Sequence, residues 1–155
     1  MKYNMSAALC DDMGLGKTLQ TLVVLQEEIS KQLQKPGKMK RSLVVVPSSL
    51  TEHWHHEIRQ FCDPDIVKPY VYSGSKNSQD NDEYNVIIMS YLSLSKGIEN
   101  FKRENFFFLI LDEAHLVKNP KSKIYKAMKQ VSAQHKIALT GTPIQVNIIN
   151  VYSDV

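Results

Sequence analysis

Cysteine is scarce in this 155-residue chain: Cys10 and Cys62 stand alone, each beside apolar neighbours. Two isolated thiols cannot build the disulfide framework of a small secreted domain, and they read as buried free thiols in a reducing, intracellular compartment. Long hydrophobic runs are missing too. No apolar stretch approaches the roughly 20 residues of a membrane-spanning helix, and the amino-terminal segment lacks a signal-peptide pattern, so no membrane partner is expected. Nor is there a strong excess of one charge. A net charge of +3 from 19 basic and 16 acidic side chains is too small to argue for a polyanion partner by itself. Internal repeats and low-complexity tracts are absent, which excludes solenoid and biased-tail architectures. With 43% hydrophobic and 23% charged residues, the chain has the composition of an ordinary globular protein, and residues 1–155 are expected to form one domain with a substantial core.

Apolar runs alternate with amphipathic ones. Strands are expected at Ser6–Cys10, Leu43–Val46, Val67–Tyr72, Val86–Met89, Phe106–Leu111 and Ile137–Leu139. A helix is expected from Lys17 to about Gln34, with Leu19, Leu22, Val23, Leu25, Ile29 and Leu33 mainly inward and Lys35-Pro36-Gly37 as its stop. Ser49 and Glu52 have capping-box spacing for a second helix, whose Leu50, Trp54, Ile58 and Phe61 share one face. Ile124, Ala127, Met128 and Val131 mark a further helix, and Ser73–Tyr84 reads as a polar loop. Such alternation implies an α/β fold, a mostly parallel sheet with helices on both faces.

The chemistry lies at the ends of three strands. After the first comes Asp11-Asp12-Met13-Gly14-Leu15-Gly16-Lys17-Thr18, a glycine turn that opens a helix. Gly14 and Gly16 allow backbone N–H groups close to phosphate oxygens, at the positive end of the helix dipole. Lys17 would reach the β and γ phosphates, and the Thr18 hydroxyl would hold Mg²⁺. Asp11 stands where the general phosphate-loop pattern has glycine. Phe106–Leu111 ends in Asp112-Glu113-Ala114-His115, where Asp112 would serve the metal and Glu113 the attacking water. Ile137–Leu139 ends in Thr140-Gly141-Thr142-Pro143. Strand ends of an open α/β sheet converge on one ligand, so an ordered trio of this kind is hard to explain as packing.

Other groups have plainer explanations. His53, His55 and His56 lie close together, but a metal site needs further ligands and none is evident. Lys35, Lys38, Lys40 and Arg41 are expected to form a solvated turn at the sheet edge opposite the nucleotide.

Asp12-Met13-Gly14-Leu15-Gly16-Lys17-Thr18, Asp112-Glu113-Ala114-His115 and Leu139-Thr140-Gly141-Thr142-Pro143-Ile144-Gln145 resemble the motifs of the first RecA-like lobe of Swi/Snf-type superfamily 2 helicase-like ATPases. Leu9–Met13, Ser49–Trp54 and Val117-Lys118-Asn119 look like the branch of remodelling ATPases associated with TATA-binding protein. The resemblance implies a P-loop NTPase lobe that binds ATP and Mg²⁺ through residues 12–18 and Asp112, with Glu113 as the base. Thr140, Gly141, Thr142 and Gln145 would couple hydrolysis to lobe movement. Pro47, Ser48, Ser49, Ser90 and Tyr91 match positions on the DNA-facing side, although strand-end turns and helix caps use the same residue types. Duplex DNA, gripped by its phosphates, and a second RecA-like lobe are the implied partners, removal of TATA-binding protein the implied task, and the nucleus the implied location.

This sequence departs from the family pattern at Val146, where the family usually has Asn, and in Asn147–Val155, which lacks the usual Leu-Trp feature. The adenine-recognising glutamine segment and the second lobe with its arginine finger are expected to lie outside these residues, leaving the isolated chain a very slow ATPase. A truncated, non-catalytic module that binds nucleotide or DNA is the alternative. An RNA helicase of the Asp-Glu-Ala-His class shares the acidic motif but fits the glycine loop and Thr-Gly-Thr-Pro-Ile-Gln poorly.

Overall fold

The computed structural model of the chain describes residues 6–9, 16–74 and 83–141. Six strands, β1 (Ser6–Leu9), β2 (Ser42–Val46), β3 (Pro69–Val71), β4 (Val86–Ser90), β5 (Asn105–Leu111) and β6 (Ser132–Leu139), form one sheet in the order β1-β6-β5-β2-β4-β3. Every pairing is parallel, as the alternating pattern implied. Among the described residues four helices connect them: α1 (Lys17–Leu33), α2 (Thr51–Phe61), α3 (Tyr91–Gly97) and α4 (Lys123–Met128).

The central strands are buried on both faces, which is why β2 and β4 are unbroken runs of small or apolar residues. Their side chains alternate between two cores. Val44, Val46, Val86, Ile88, Phe108 and Ile110 pack against Leu22, Leu25 and Ile29 of α1 and Trp54 and Ile58 of α2. Leu43, Val45, Ile87, Met89, Leu109 and Leu111 face the other way, onto Tyr91 and Leu94 of α3 and Ala127 and Met128 of α4.

Several local expectations need correction. Leu19, Val23 and Leu33 of α1 are exposed, whereas Thr21 and Glu28 are buried. The contact stripe is Leu22-Leu25-Ile29, and its polar flanks are satisfied locally: Thr21 Oγ1 donates to the Lys17 carbonyl at 2.8 Å and Lys31 pairs with Glu28 at 2.9 Å. Phe61 is likewise exposed. The Ser49–Glu52 capping box does not form. A 3₁₀ turn over Ser48–Leu50 precedes α2 and places Ser49 outside its cap position; Thr51 Oγ1 donates back to the Ser48 carbonyl at 3.1 Å instead. β3 is shorter than expected, and β6 begins five residues earlier than its apolar part, through Gln134, His135 and Lys136. Helix α3 is additional to the expected elements. Cys62 is a buried free thiol, its pKa raised by burial; Cys10 lies outside the described residues, as does most of the Ser73–Tyr84 loop.

Candidate nucleotide site at the carboxyl edge of the sheet

Strand register sets the site. Leu9 pairs with Leu139, Ala138 with Leu111, Leu111 with Val45, and Val46 with Ser90. The residues that follow these strands therefore emerge along one edge: Thr140 after β6, Asp112 after β5, Pro47 after β2 and Tyr91 after β4. The turn after β1 returns to the described residues at Gly16.

Gly16 has φ 73° and ψ 27°, in the left-handed region that glycine enters without a Cβ penalty. Open space surrounds the position a Cβ would take, so the constraint is conformational and not steric. Helix α1 starts immediately after it, with no side-chain cap and no acid in its first turn. Such an end suits an anion, because its first-turn N–H groups and dipole point outward. Lys17 and Thr18 are half-buried there. Asp12, Met13, Gly14 and Leu15 lie outside the described residues.

Asp112 is the most constrained residue of the site. Its N–H donates to the Val45 carbonyl at 2.9 Å, and its carbonyl accepts from Tyr91 Oη at 2.7 Å. One carboxylate oxygen, Oδ1, accepts the Glu113 N–H at 2.9 Å, and Oδ2 accepts the Trp54 indole N–H at 2.8 Å. Among the described residues no cation pairs with this carboxylate. It is half-buried and oriented by neutral donors, and each oxygen keeps a lone pair for a metal or its water, so the donor set fits a hard divalent cation.

Glu113 adopts φ 51° and ψ 47°, the one non-glycine residue at positive φ among those described. A left-handed residue with a Cβ costs roughly 1–2 kcal/mol, so the surrounding turn holds it there. The Leu116 N–H closes this turn on the Glu113 carbonyl at 2.9 Å, and His115 Nδ1 lies 3.1 Å from Glu113 Oε2. Thr140 is buried, its N–H on the Leu9 carbonyl at 3.2 Å, with Gly141 beside it. Thr142, Gln145 and Val146 lie outside the described residues.

The candidate DNA positions divide. Ser48 and Ser49 are exposed on the 3₁₀ turn, and Pro47 is half-buried beneath them. Ser90 and Tyr91 are buried and used internally: Ser90 Oγ caps α3 by accepting the Ser93 N–H at 3.0 Å, and Tyr91 reaches Asp112. Trp54 was legible in sequence as part of an apolar face and of the Ser49–Trp54 resemblance, but not as a partner of Asp112. The available signal was general, since a buried indole N–H requires an acceptor. The basic turn lies at the other edge, as expected, but Arg41 is half-buried and paired: it forms two 2.7 Å bonds to Glu104. No metal-ligand cluster is found among the described residues.

A parallel sheet with a glycine-led helix, an acid pair and a Thr-Gly turn along its carboxyl edge has the layout of a RecA-like lobe. Residues 1–153 match the SNF2-related domain. The chain is 38% identical over 164 residues to human TATA-binding protein-associated factor 172, covering 98% of this chain and 9% of that protein. It is 34% identical over 164 residues to Saccharomyces cerevisiae TATA-binding protein-associated factor MOT1, with the same coverage. A solved Sulfolobus solfataricus SWI2/SNF2 ATPase core in complex with dsDNA superimposes with a TM-score of 0.78 at 30% identity, over 97% of this chain and 30% of that one. The chain belongs to the SNF2-related domain family and corresponds to the amino-terminal lobe of its ATPase core. It spans about 9% of the length of these curated relatives.

Proposed function

We propose that this chain is the ATP-binding lobe of a DNA-dependent ATPase that moves along duplex DNA and remodels protein–DNA complexes. One observation carries the proposal: the glycine-led start of α1, the Asp112-Glu113 turn and the Thr140-Gly141 turn share one sheet edge in a member of the SNF2-related family.

Gly14, Gly16 and the first-turn N–H groups of α1 would hold the triphosphate, with Asp12, Met13 and Leu15 completing the loop and Lys17 on the β and γ oxygens. Thr18 and Asp112 would hold Mg²⁺, which when bound offsets negative charge on the phosphate oxygens. Glu113 orients a water and takes its proton as the water oxygen bonds to the γ phosphorus. The bond from that phosphorus to the bridging oxygen breaks, and its electron pair leaves with ADP. Most of the rate gain would come from positioning and electrostatics. Thr140, Gly141, Thr142 and Gln145 would transmit the change to a second RecA-like lobe, whose arginine finger is commonly worth about 10³–10⁵ in turnover.

Duplex DNA as a partner is supported by the DNA-bound structural relative, and the exposed Ser48-Ser49 turn is a candidate contact. TATA-binding protein as a partner is supported by the names of the human and yeast relatives, which give an association with it; its removal from DNA and a nuclear location are the finer parts of the proposal. The test is ATP hydrolysis with and without duplex DNA, by the chain alone and mixed with a second motor lobe. DNA-stimulated turnover in the mixture, lost with Lys17→Ala, is expected. Mg-ATP binding without turnover in any mixture would favour the non-catalytic module.

A further inference from the structure

We infer that Trp54 is a positioning residue for the carboxylate of Asp112, linking the exposed Ser48–Leu50 turn to metal binding at the nucleotide site. This inference rests on the nucleotide-site proposal above.

Trp54 is the single tryptophan of the chain and is fully buried between the sheet and α1. Phenylalanine or leucine would supply apolar volume there without a polar atom. Indole adds an N–H, and that N–H meets Asp112 Oδ2 at 2.8 Å across 58 residues of sequence. A neutral donor to a carboxylate makes a charge-assisted bond, stronger than the ordinary kind. With Oδ1 on the Glu113 N–H and the main chain held by Val45 and Tyr91, the Asp112 side chain is confined to one orientation. Donors of this kind behind a metal-binding carboxylate fix its geometry, and removing one commonly costs 10- to 100-fold in metal affinity.

The same residue carries a mechanical link. Helix α2 follows the Ser48–Leu50 turn without a break: Leu50 N–H closes the turn on the Pro47 carbonyl at 2.9 Å, and Thr51 Oγ1 ties the helix to it through the Ser48 carbonyl at 3.1 Å. Trp54 sits about one helical turn beyond Leu50. A ligand that shifts the exposed serines therefore shifts the donor to Oδ2. Tyr91, at the start of α3, holds the same aspartate from the other face of the sheet.

A lone tryptophan is its own reporter. In the unaltered chain, Mg²⁺ added with ATP should change Trp54 emission, ATP in EDTA should not, and Asp112→Asn should abolish the response. By calorimetry, Trp54→Phe should raise the Mg²⁺ half-saturation of ATP binding about tenfold while leaving ATP affinity in EDTA unchanged. Duplex DNA should shift the Mg²⁺ midpoint of the parent and not of Trp54→Phe. An emission blind to Mg-ATP that calorimetry shows to be bound would overturn the inference, even if Trp54→Phe fails to fold. So would an unchanged Mg²⁺ midpoint in a folded Trp54→Phe, and an equal DNA shift in both proteins would overturn the mechanical link. Lys17→Ala separates the levels. If it leaves ATP binding intact, the nucleotide site itself falls and this inference with it; if it abolishes binding while Trp54 proves silent, only the inference falls.

Discussion

At the amino edge of the sheet Arg41 and Glu104 neutralise each other through two short bonds, whereas at the carboxyl edge Asp112 is met by an indole N–H and a peptide N–H. Both are partly buried charges on strand-flanking turns. The first pair is complete and ties the loop before β2 to the loop before β5. The second is held in orientation with its negative charge uncompensated by any described cation, which is the state a metal-binding carboxylate needs. Backbone strain also falls at the carboxyl edge: Glu113, the one non-glycine residue at positive φ among those described, lies there. One edge uses its charge for stability; at the other, the proposed function has it held for a ligand.

Four perturbations sharpen that contrast. The largest effect is expected from Glu113→Gln in a two-lobe protein, where turnover should fall about 10²- to 10⁴-fold with ATP still bound. Hydrolysis at the parental rate would remove Glu113 from the role of base. Next, Arg41→Ala leaves a partly buried carboxylate unpaired and should cost about 1–3 kcal/mol in urea unfolding, with ATP affinity unchanged. A loss of ATP affinity there would erase the distinction between the edges. Gly16→Ala should cost roughly 1–2 kcal/mol through its backbone alone and also weaken ATP binding. Parental stability in the Gly16→Ala variant would show that the turn does not need the left-handed conformation.

The smallest effect concerns His135. Burial holds its imidazole pKa below the ordinary value, with Glu28 partly opposing, and its ring lies against Phe107 and Phe108. The unfolded chain therefore takes up this proton first. The contribution is complete above about pH 6.5 and is lost as pH falls below that value toward the depressed folded pKa. Urea midpoints measured across that window should decline in the parent and less steeply in His135→Gln; equal slopes would contradict the assignment.

The fold was legible where one physical demand dominated. β2 and β4 are buried on both faces and could be read directly from Leu43–Val46 and Val86–Met89. The placement of Asp112 and Glu113 after β5, and of Gly16 before α1, was legible because an apolar run ending in two acids and a glycine ahead of an amphipathic run mark such boundaries. The inward face of α1 was not: counting Leu19, Val23 and Leu33 as inward made the stripe too wide, while Thr21 and Glu28 found local partners that let them be buried. Helix α3 has seven residues, too few for a clear period, and its start depends on the Ser90 cap. The early part of β6 hid behind Gln134 and Lys136. The Trp54–Asp112 bond joins distant residues through tertiary packing, and no local pattern encodes it.

The most direct measurement is calorimetric titration of Mg-ATP into the chain and into Lys17→Ala and Asp112→Asn, each checked for parental thermal unfolding. Binding to the parent that Lys17→Ala removes and Asp112→Asn makes independent of Mg²⁺ is the expected result. Folded variants that bind Mg-ATP as the parent does would contradict a nucleotide site at the carboxyl edge.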